Sequence, residues 1–158
     1  MNFKKNNLNI ISGGQTGVER AALDFALCNG LSCSGWCQAG RRDENGIIPY
    51  RYPLYEFFSG DIISLVLQNI LESDGVLIII FEEMDPLTQL AYDLSVDHQK
   101  PVFVWNLSKN RNYRMVTQWI GDEKIGILNI TGPNEKTSPG IHEITLDVLA
   151  DFFPDLLH

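Results

Sequence analysis

Nowhere in the sequence does an apolar run approach the roughly 20 residues a bilayer-spanning helix needs; the run Val76 to Phe81 is only six residues long. Positive charge is scarce. Twelve Lys and Arg stand against 20 Asp and Glu, a net charge of −8, which argues against broad nucleic-acid binding through phosphates. A small phosphorylated ligand stays open, because local arginines and backbone N–H groups decide that case. Cysteine is sparse too: Cys28, Cys33 and Cys37 are odd in number and contain no CxxC pair. Neither a disulfide framework nor a structural zinc site fits that pattern, and buried thiols on a helix and a strand are expected. Repeats and low-complexity segments are absent. The first ten residues, MNFKKNNLNI, have two lysines but no apolar stretch, so a polar arm over 1–7 entering the first strand is expected in place of a secretory signal. The expected compartment is the cytoplasm, with no membrane partner.

What is present is enough for one domain over 1–158 with a continuous core. Mean hydropathy is −0.06 and 44% of the residues are hydrophobic. Short apolar runs alternate with segments of helical period. After the run Leu8 to Ser12, residues Val18, Ala21, Ala22, Phe25 and Ala26 form one stripe of an amphipathic helix, which Gly30 ends. Leu31 to Cys37 is a second strand. Residues 38–60 have no clear period, but their aromatics predict an ordered loop packed on something. Asp61 is expected to cap a helix to Ser73, with Ile62, Ile63, Val66, Ile70 and Leu71 inward. Val76 to Phe81 has the composition of a central parallel strand. Asp85-Pro86 predicts N-cap and N1 of a helix to about Gln99. A buried strand Pro101 to Trp105, a helix Tyr113 to Ile120, a strand Ile125 to Ile130 and a helix Ile141 to Phe153 follow.

This order predicts a three-layer, doubly wound, mainly parallel α/β sheet of Rossmann-like type. Ligands of such sheets bind beyond the carboxyl ends of the strands, so the loops after Ile11, Cys37, Phe81, Trp105 and Ile130 belong on the functional edge.

The first of these loops is Ser12-Gly13-Gly14-Gln15-Thr16-Gly17. Adjacent glycines permit positive φ and clear side chains from the backbone. The first amides of the following helix are free of helical partners, and with the helix dipole they favour an anion, most simply a phosphate. Ser12, Gln15 and Thr16 add side-chain donors. The loop is not a P-loop, since Val18-Glu19 follows Gly17, and its glycine spacing is not that of a dinucleotide fingerprint. The alternative is a tight turn with no ligand. Arg20 could pair with a phosphate, or with Asp24 on a solvated helix face. Glu19 could accept a ribose hydroxyl or serve as a base. His98, His142 and His158 are expected to be surface residues.

Three segments carry a family resemblance: SGGQTGVERAALDFAL (Ser12 to Leu27), GWCQAGRRDENGIIPYRYPL (Gly35 to Leu54) and LNITGPNEKTSPGI (Leu128 to Ile141). They resemble, in order and through nearly the whole chain, the signature blocks of the molybdenum-carrier family. That family is also described as a circularly permuted YpsA-like branch of the LOG-like Rossmannoid proteins. The resemblance implies a phosphate-bearing ligand, a nucleotide or a pterin such as the molybdenum cofactor. In some relatives it implies cleavage of the N-glycosidic bond of a nucleoside monophosphate. The implied ligand-binding positions are Ser12 to Gly17, Arg20, Trp36, Arg41, Arg42 and Thr88, with Glu19, where the family usually has aspartate, as the candidate catalytic carboxylate. A homodimer or higher homo-oligomer is also expected, and the apolar residues on the helix Asp61 to Ser73 could serve its interface or the core. The chain departs from the pattern at Gln38-Ala39, where Pro-Lys is usual, and at Asn134, where an arginine is usual. Pro86-Leu87-Thr88 replaces a second glycine loop, Gly-Gly-Thr, and Asp85 is expected to cap that helix itself. Three functions follow: a carrier or binding protein for a phosphorylated nucleotide or pterin, a nucleoside-monophosphate N-glycosidase, or a non-catalytic dimerising module with a decayed site.

Overall fold

The computed structural model describes residues 8–157, and of 153–157 the backbone alone; the expected arm over 1–7 lies outside the described residues. Five parallel strands form the central sheet: β1 (Asn9–Ile11), β2 (Ser32–Ser34), β7 (Gly75–Ile80), β8 (Val102–Asn106) and β9 (Ile127–Thr131), in the order β2-β1-β9-β7-β8. Two small parallel or antiparallel pairs lie beside it: β3 (Trp36–Gln38) with β6 (Tyr55–Phe57), and β4 (Arg42–Asp43) with β5 (Gly46–Ile47). The helices are α1 (Val18–Cys28), α2 (Ile62–Leu71), α3 (Pro86–Asp97), α4 (Arg114–Asp122) and α5 (Ile141–Leu157).

From β1 the chain crosses to β2 on one side, and from β7 it crosses to β8 on the other. Right-handed crossovers in opposite directions must use opposite faces of the sheet. Residues of α1, α4 and α5 accordingly share one core with Ile10, Leu77, Ile79, Leu128 and Ile130. Ile70 of α2 and Ala91 of α3 cover the other face, against Val76, Ile78 and Ile80. This is the doubly wound architecture expected. β9 fills the place between the diverging halves, with Ile10 opposite Leu128 and Leu77 opposite Ile130. All six residues of β7 are buried, since it has neighbours on both sides and helices on both faces.

Four local expectations are corrected. The strand expected over 31–37 breaks at Gly35: β2 stays in the main sheet while β3 leaves it to pair with β6. The cause is the close approach of β1, for a Cβ on Gly35 would lie 1.8 Å from the Ser12 carbonyl oxygen. In α2, Leu65, Asn69 and Ile70 are buried while Ile62, Ile63 and Leu71 are exposed. The helix is apolar on nearly every side, so its period did not single out the inward face. The strand at 102–106 is an edge, paired among the described residues only with β7, and only Trp105 in it is buried. Cys28, expected to be buried, is exposed, while Cys37 is inside.

Candidate functional site

Because β1, β9 and β7 are neighbours, the segments leaving their carboxyl ends meet. They enclose a cleft with β3 and the start of α2. Its polar side is formed by Gly13, Gln15 and Glu19 from the glycine loop and Asn129, Thr131, Gly132 and Asn134 from β9 and the turn after it. Its apolar side is formed by Ile62, Leu65 and Val66 of α2, Trp36 of β3, and Leu87 and Ala91 of α3. Asp85 and Thr88 stand where α3 begins. The segment after β8 does not reach the cleft, since β8 lies at the far edge of the sheet.

The glycine loop has the expected backbone. Gly14 and Gly17 have φ of +80° and +81°, and a Cβ on Gly17 would lie 2.4 Å from the Pro133 carbonyl oxygen. The Gly13, Gln15 and Val18 amides are, however, already engaged with acidic or carbonyl groups of the protein. Glu19 Oε1 accepts from the Gln15 N–H at 3.3 Å and Oε2 accepts from the Thr131 hydroxyl at 3.0 Å. Val18 N–H donates to the Pro133 carbonyl at 3.2 Å. Burial pushes the Glu19 carboxyl above the ordinary carboxylate range, against the lowering pull of Thr131, of the Gln15 and Gly13 amides and of Arg20. The loop thus already holds a carboxyl group, that of its own Glu19.

The other sequence-derived positions divide between cleft and scaffold. Ser12 is buried and donates to the Ile130 carbonyl at 2.8 Å, tying β1 to β9. The Gln15 side chain donates to the Arg42 carbonyl at 2.9 Å. The Thr16 hydroxyl donates to Glu44 and accepts from the Glu135 N–H. Arg20 does not meet Asp24; its guanidinium donates to the Gly14 carbonyl at 2.9 and 3.1 Å and to Asp43 at 2.6 Å. Arg41 is buried with φ of +52° and donates to the carbonyls of Ile48, Pro49, Tyr52 and Leu54. These bonds order the aperiodic segment, whose Tyr52 is buried against Leu23, Cys37 and Ile48. Arg42 is exposed on β4. Trp36 and Thr88 line the cleft with Gly13, Gln15 and Glu19.

Trp36 is held from three directions. Its backbone exchanges hydrogen bonds with the Asn69 amide (2.9 and 3.0 Å), its indole N–H donates to Glu72 at 2.7 Å, and its ring meets Tyr55 at 5.4 Å and Phe57 at 6.1 Å between centroids. Asn69 was not singled out in the sequence, although one amide inside the apolar helix IISLVLQNIL is the available signal. Asn129 and Thr131 were also missed, because only the pairing of β9 with β1 and β7 places them at the cleft. His142, expected at the surface, pairs with Asp24 at 2.9 Å, and Asp24 also accepts from the Tyr52 hydroxyl at 2.5 Å.

At the start of α3 an expectation is corrected. Asp85 is the N-cap residue and Pro86 is N1, but the Asp85 side chain makes no capping hydrogen bond. Its Oδ1 is shielded from solvent without a partner. The first turn of α3 is therefore not self-capped, and Asp85 joins Glu19 as a second carboxylate of the cleft. Among the described residues no lysine or arginine lines it.

No curated protein matches the chain. A solved structure from Syntrophus aciditrophicus SB, described as a "putative molybdenum carrier protein", is 34% identical with a TM-score of 0.89, covering 94% of this chain and 97% of that one. The family model of the circularly permutated YpsA SLOG proteins matches residues 10–153. With a match of that extent, laid over the parallel sheet and glycine loop described above, the chain belongs to the circularly permutated YpsA SLOG family.

Proposed function

We propose that the protein binds a phosphorylated nucleotide- or pterin-like molecule in this cleft, with the ring on the apolar side and the anionic group at the glycine loop. The observation that carries the reading is the pairing of two unlike walls. Trp36, Ile62, Leu65 and Leu87 offer a flat ring an apolar surface, and the facing loop already accommodates a carboxylate on the Gln15 amide. An arriving phosphate replaces Glu19 there. Its negative charge favours a proton on the displaced carboxyl, which burial has already made easier to protonate. Arg20 acts on this site indirectly, by holding the Gly14 carbonyl and so the shape of the loop.

The donor set suits an organic ligand better than a bare metal ion. Among the described residues no three His, Cys, Asp or Glu side chains converge on one point. Molybdenum, in this reading, is cargo carried on a pterin and is not held by side-chain ligands.

The test is calorimetry of wild type and Glu19→Gln with a nucleoside monophosphate and with a phosphorylated pterin. Removing the internal competitor's charge is expected to tighten binding about tenfold. If neither compound binds at millimolar concentration, and Glu19→Gln changes nothing, the proposal fails.

One observation favours a second reading, hydrolysis of an N-glycosidic bond. Glu19 and Asp85 line the same cleft, and a carboxyl with a raised pKa near an oxocarbenium-like centre can act as general acid or base. In that case the protein releases free base from a nucleoside monophosphate, and Glu19→Gln abolishes the release.

A further inference from the structure

We infer that Asn129, on the floor of the cleft, is a ligand-binding residue whose carboxamide hydrogen-bonds an uncharged polar group on the ligand's ring. This rests on the ligand-binding reading above and names the part of the ligand that lies innermost: the neutral edge of a heterocycle, and not the phosphate.

Strand alternation sets the direction of this side chain. Leu128 and Ile130 belong to the core shared with α1, α4 and α5, so Asn129 between them projects from the opposite face of β9. Its neighbours in register are Ile11 of β1 and Val76 of β7, and Val76 packs in the core with Ile70 of α2 and Ala91 of α3. An aliphatic residue is the ordinary choice in such a place. Asn129 is only 3% exposed, and it lines the cleft with Leu65 and Asn69 of α2 and Thr88 and Ala91 of α3. Among the described residues its carboxamide has no hydrogen-bond partner. The unpartnered side-chain atoms that are sealed from solvent are Asp85 Oδ1 and Thr145 Oγ1. The Asn129 amide is not one of them, so the little surface it keeps opens on the cleft. Thr88 repeats the arrangement from the helix side: it is 3% exposed, lines the same cleft and has an unpartnered hydroxyl. Native proteins rarely leave buried polar groups unpaired, and two that border one cavity are complemented by what enters it.

The chemistry of these groups decides which part of the ligand they take. A carboxamide both donates and accepts, and so does a threonine hydroxyl. Neither carries charge, and among the described residues no lysine or arginine lines the cleft. A phosphate drawn to this depth loses its water and gains no cation, which is costly. A neutral group that both donates and accepts, such as the lactam N–H and C=O of a purine or a pterin, exchanges its water for equivalent bonds. Trp36, Leu65, Val66 and Leu87 of the same cleft suit the flat faces of such a ring better than the hydroxyls of a sugar. The phosphate is left at the glycine loop, where the Gln15 amide now holds Glu19.

The experiment compares wild type with Asn129→Leu and Asn129→Val, two variants that replace the amide by an apolar side chain. Each protein is melted without ligand and then titrated with inosine monophosphate, purine riboside monophosphate and neopterin monophosphate. The second compound is the first without the lactam oxygen and N1–H. Without ligand, the variants are expected to melt at the same temperature as wild type or higher, since no amide is left unpaired. A lower melting temperature in both variants gives Asn129 a structural role and overturns the inference. Wild type is expected to bind inosine monophosphate about tenfold more tightly than purine riboside monophosphate, and the variants to lose that preference. Neopterin monophosphate, which carries the same lactam, is expected to bind the variants about tenfold more weakly than wild type, and that loss decides the matter if the pterin alone binds. Equal weakening of both nucleotides in the variants places the sugar or the phosphate at Asn129 and overturns the assignment to the ring. Unchanged affinities overturn the role of Asn129 and leave the cleft's ligand binding standing. Failure of all three compounds to bind wild type overturns both.

Discussion

The Thr131 hydroxyl donates to Glu19 Oε2 at 3.0 Å, joining the end of the middle strand to the first turn of the first helix across 112 positions of sequence. With the Gln15 amide on the other oxygen, this bond fixes a buried carboxylate at the mouth of the glycine loop. Its protonation is expected to influence both stability and ligand entry.

The stability consequence has a definite sign. Burial holds the Glu19 pKa of the folded protein above that of the unfolded chain. Between the two values the folded state binds the proton more tightly, so this group's contribution is full below the unfolded value and is lost as pH rises through the folded one. Melting temperatures of wild type and Glu19→Gln, measured from pH 4 to 8, are expected to diverge, with wild type falling relative to the variant as pH rises. Parallel curves would contradict the assignment.

Tyr52 gives a second pH signature. Burial, and then the hydrogen bond to Asp24, raise its phenol pKa, against the lowering bond from Arg51. In an ultraviolet titration one of the five tyrosines is expected to ionise later than the others, and Tyr52→Phe removes that late step. Tyr52→Phe also leaves Asp24 without a donor on one oxygen, a loss of about 1–3 kcal/mol in denaturant unfolding. Stability linked to this phenol declines as pH rises above the unfolded tyrosine value, because the folded state retains the proton.

Arg41 tests the scaffold. Its guanidinium serves four carbonyls of residues 48–54 at once, a fan that a lysine ammonium cannot reproduce. Arg41→Lys is expected to cost about 2–4 kcal/mol and to open the segment between β4 and β6 to limited proteolysis. An unchanged cleavage rate would show that the segment is held by Tyr52 and Ile48 alone.

Two glycines separate steric from conformational demands. Gly35→Ala puts a methyl 1.8 Å from the Ser12 carbonyl, in rigid backbone, whereas Gly30→Ala meets nothing within 4 Å and carries only the strain of φ +68°. The first is expected to destabilise by more than about 3 kcal/mol or prevent folding, the second by about 1 kcal/mol. Chemical denaturation of both variants checks the contrast, and equal losses would place the constraint at Gly35 in its dihedrals.

Much of this was legible along the chain. The helical stripe from Val18 to Ala26, the run at 76–81 and the alternation of the two periods encode a doubly wound sheet, because each is a local pattern that survives in only one kind of environment. Gly14 and Gly17 mark a strand-to-helix turn for the same reason, as only glycine tolerates their positive φ at no cost. The arginines were a different case. Arg20, Arg41 and Arg42 differ little in sequence, yet one clamps the Gly14 carbonyl, one fastens a loop and one faces solvent. A guanidinium is served equally by carbonyls, carboxylates or phosphates, and local composition carries no preference among them.

By itself, then, the sequence determined the fold class and the existence of a glycine loop opening on the carboxyl edge of the sheet, since both rest on periodicity and on backbone freedom over a few neighbouring residues, and the family through the likeness of three sequence blocks. Only the tertiary structure decided what occupies that edge. Glu19 and Thr131, and Trp36 and Asn69, are brought together by the order of the strands, and whether a polar group there is paired, buried or left wanting a partner depends on neighbours that lie dozens of residues away.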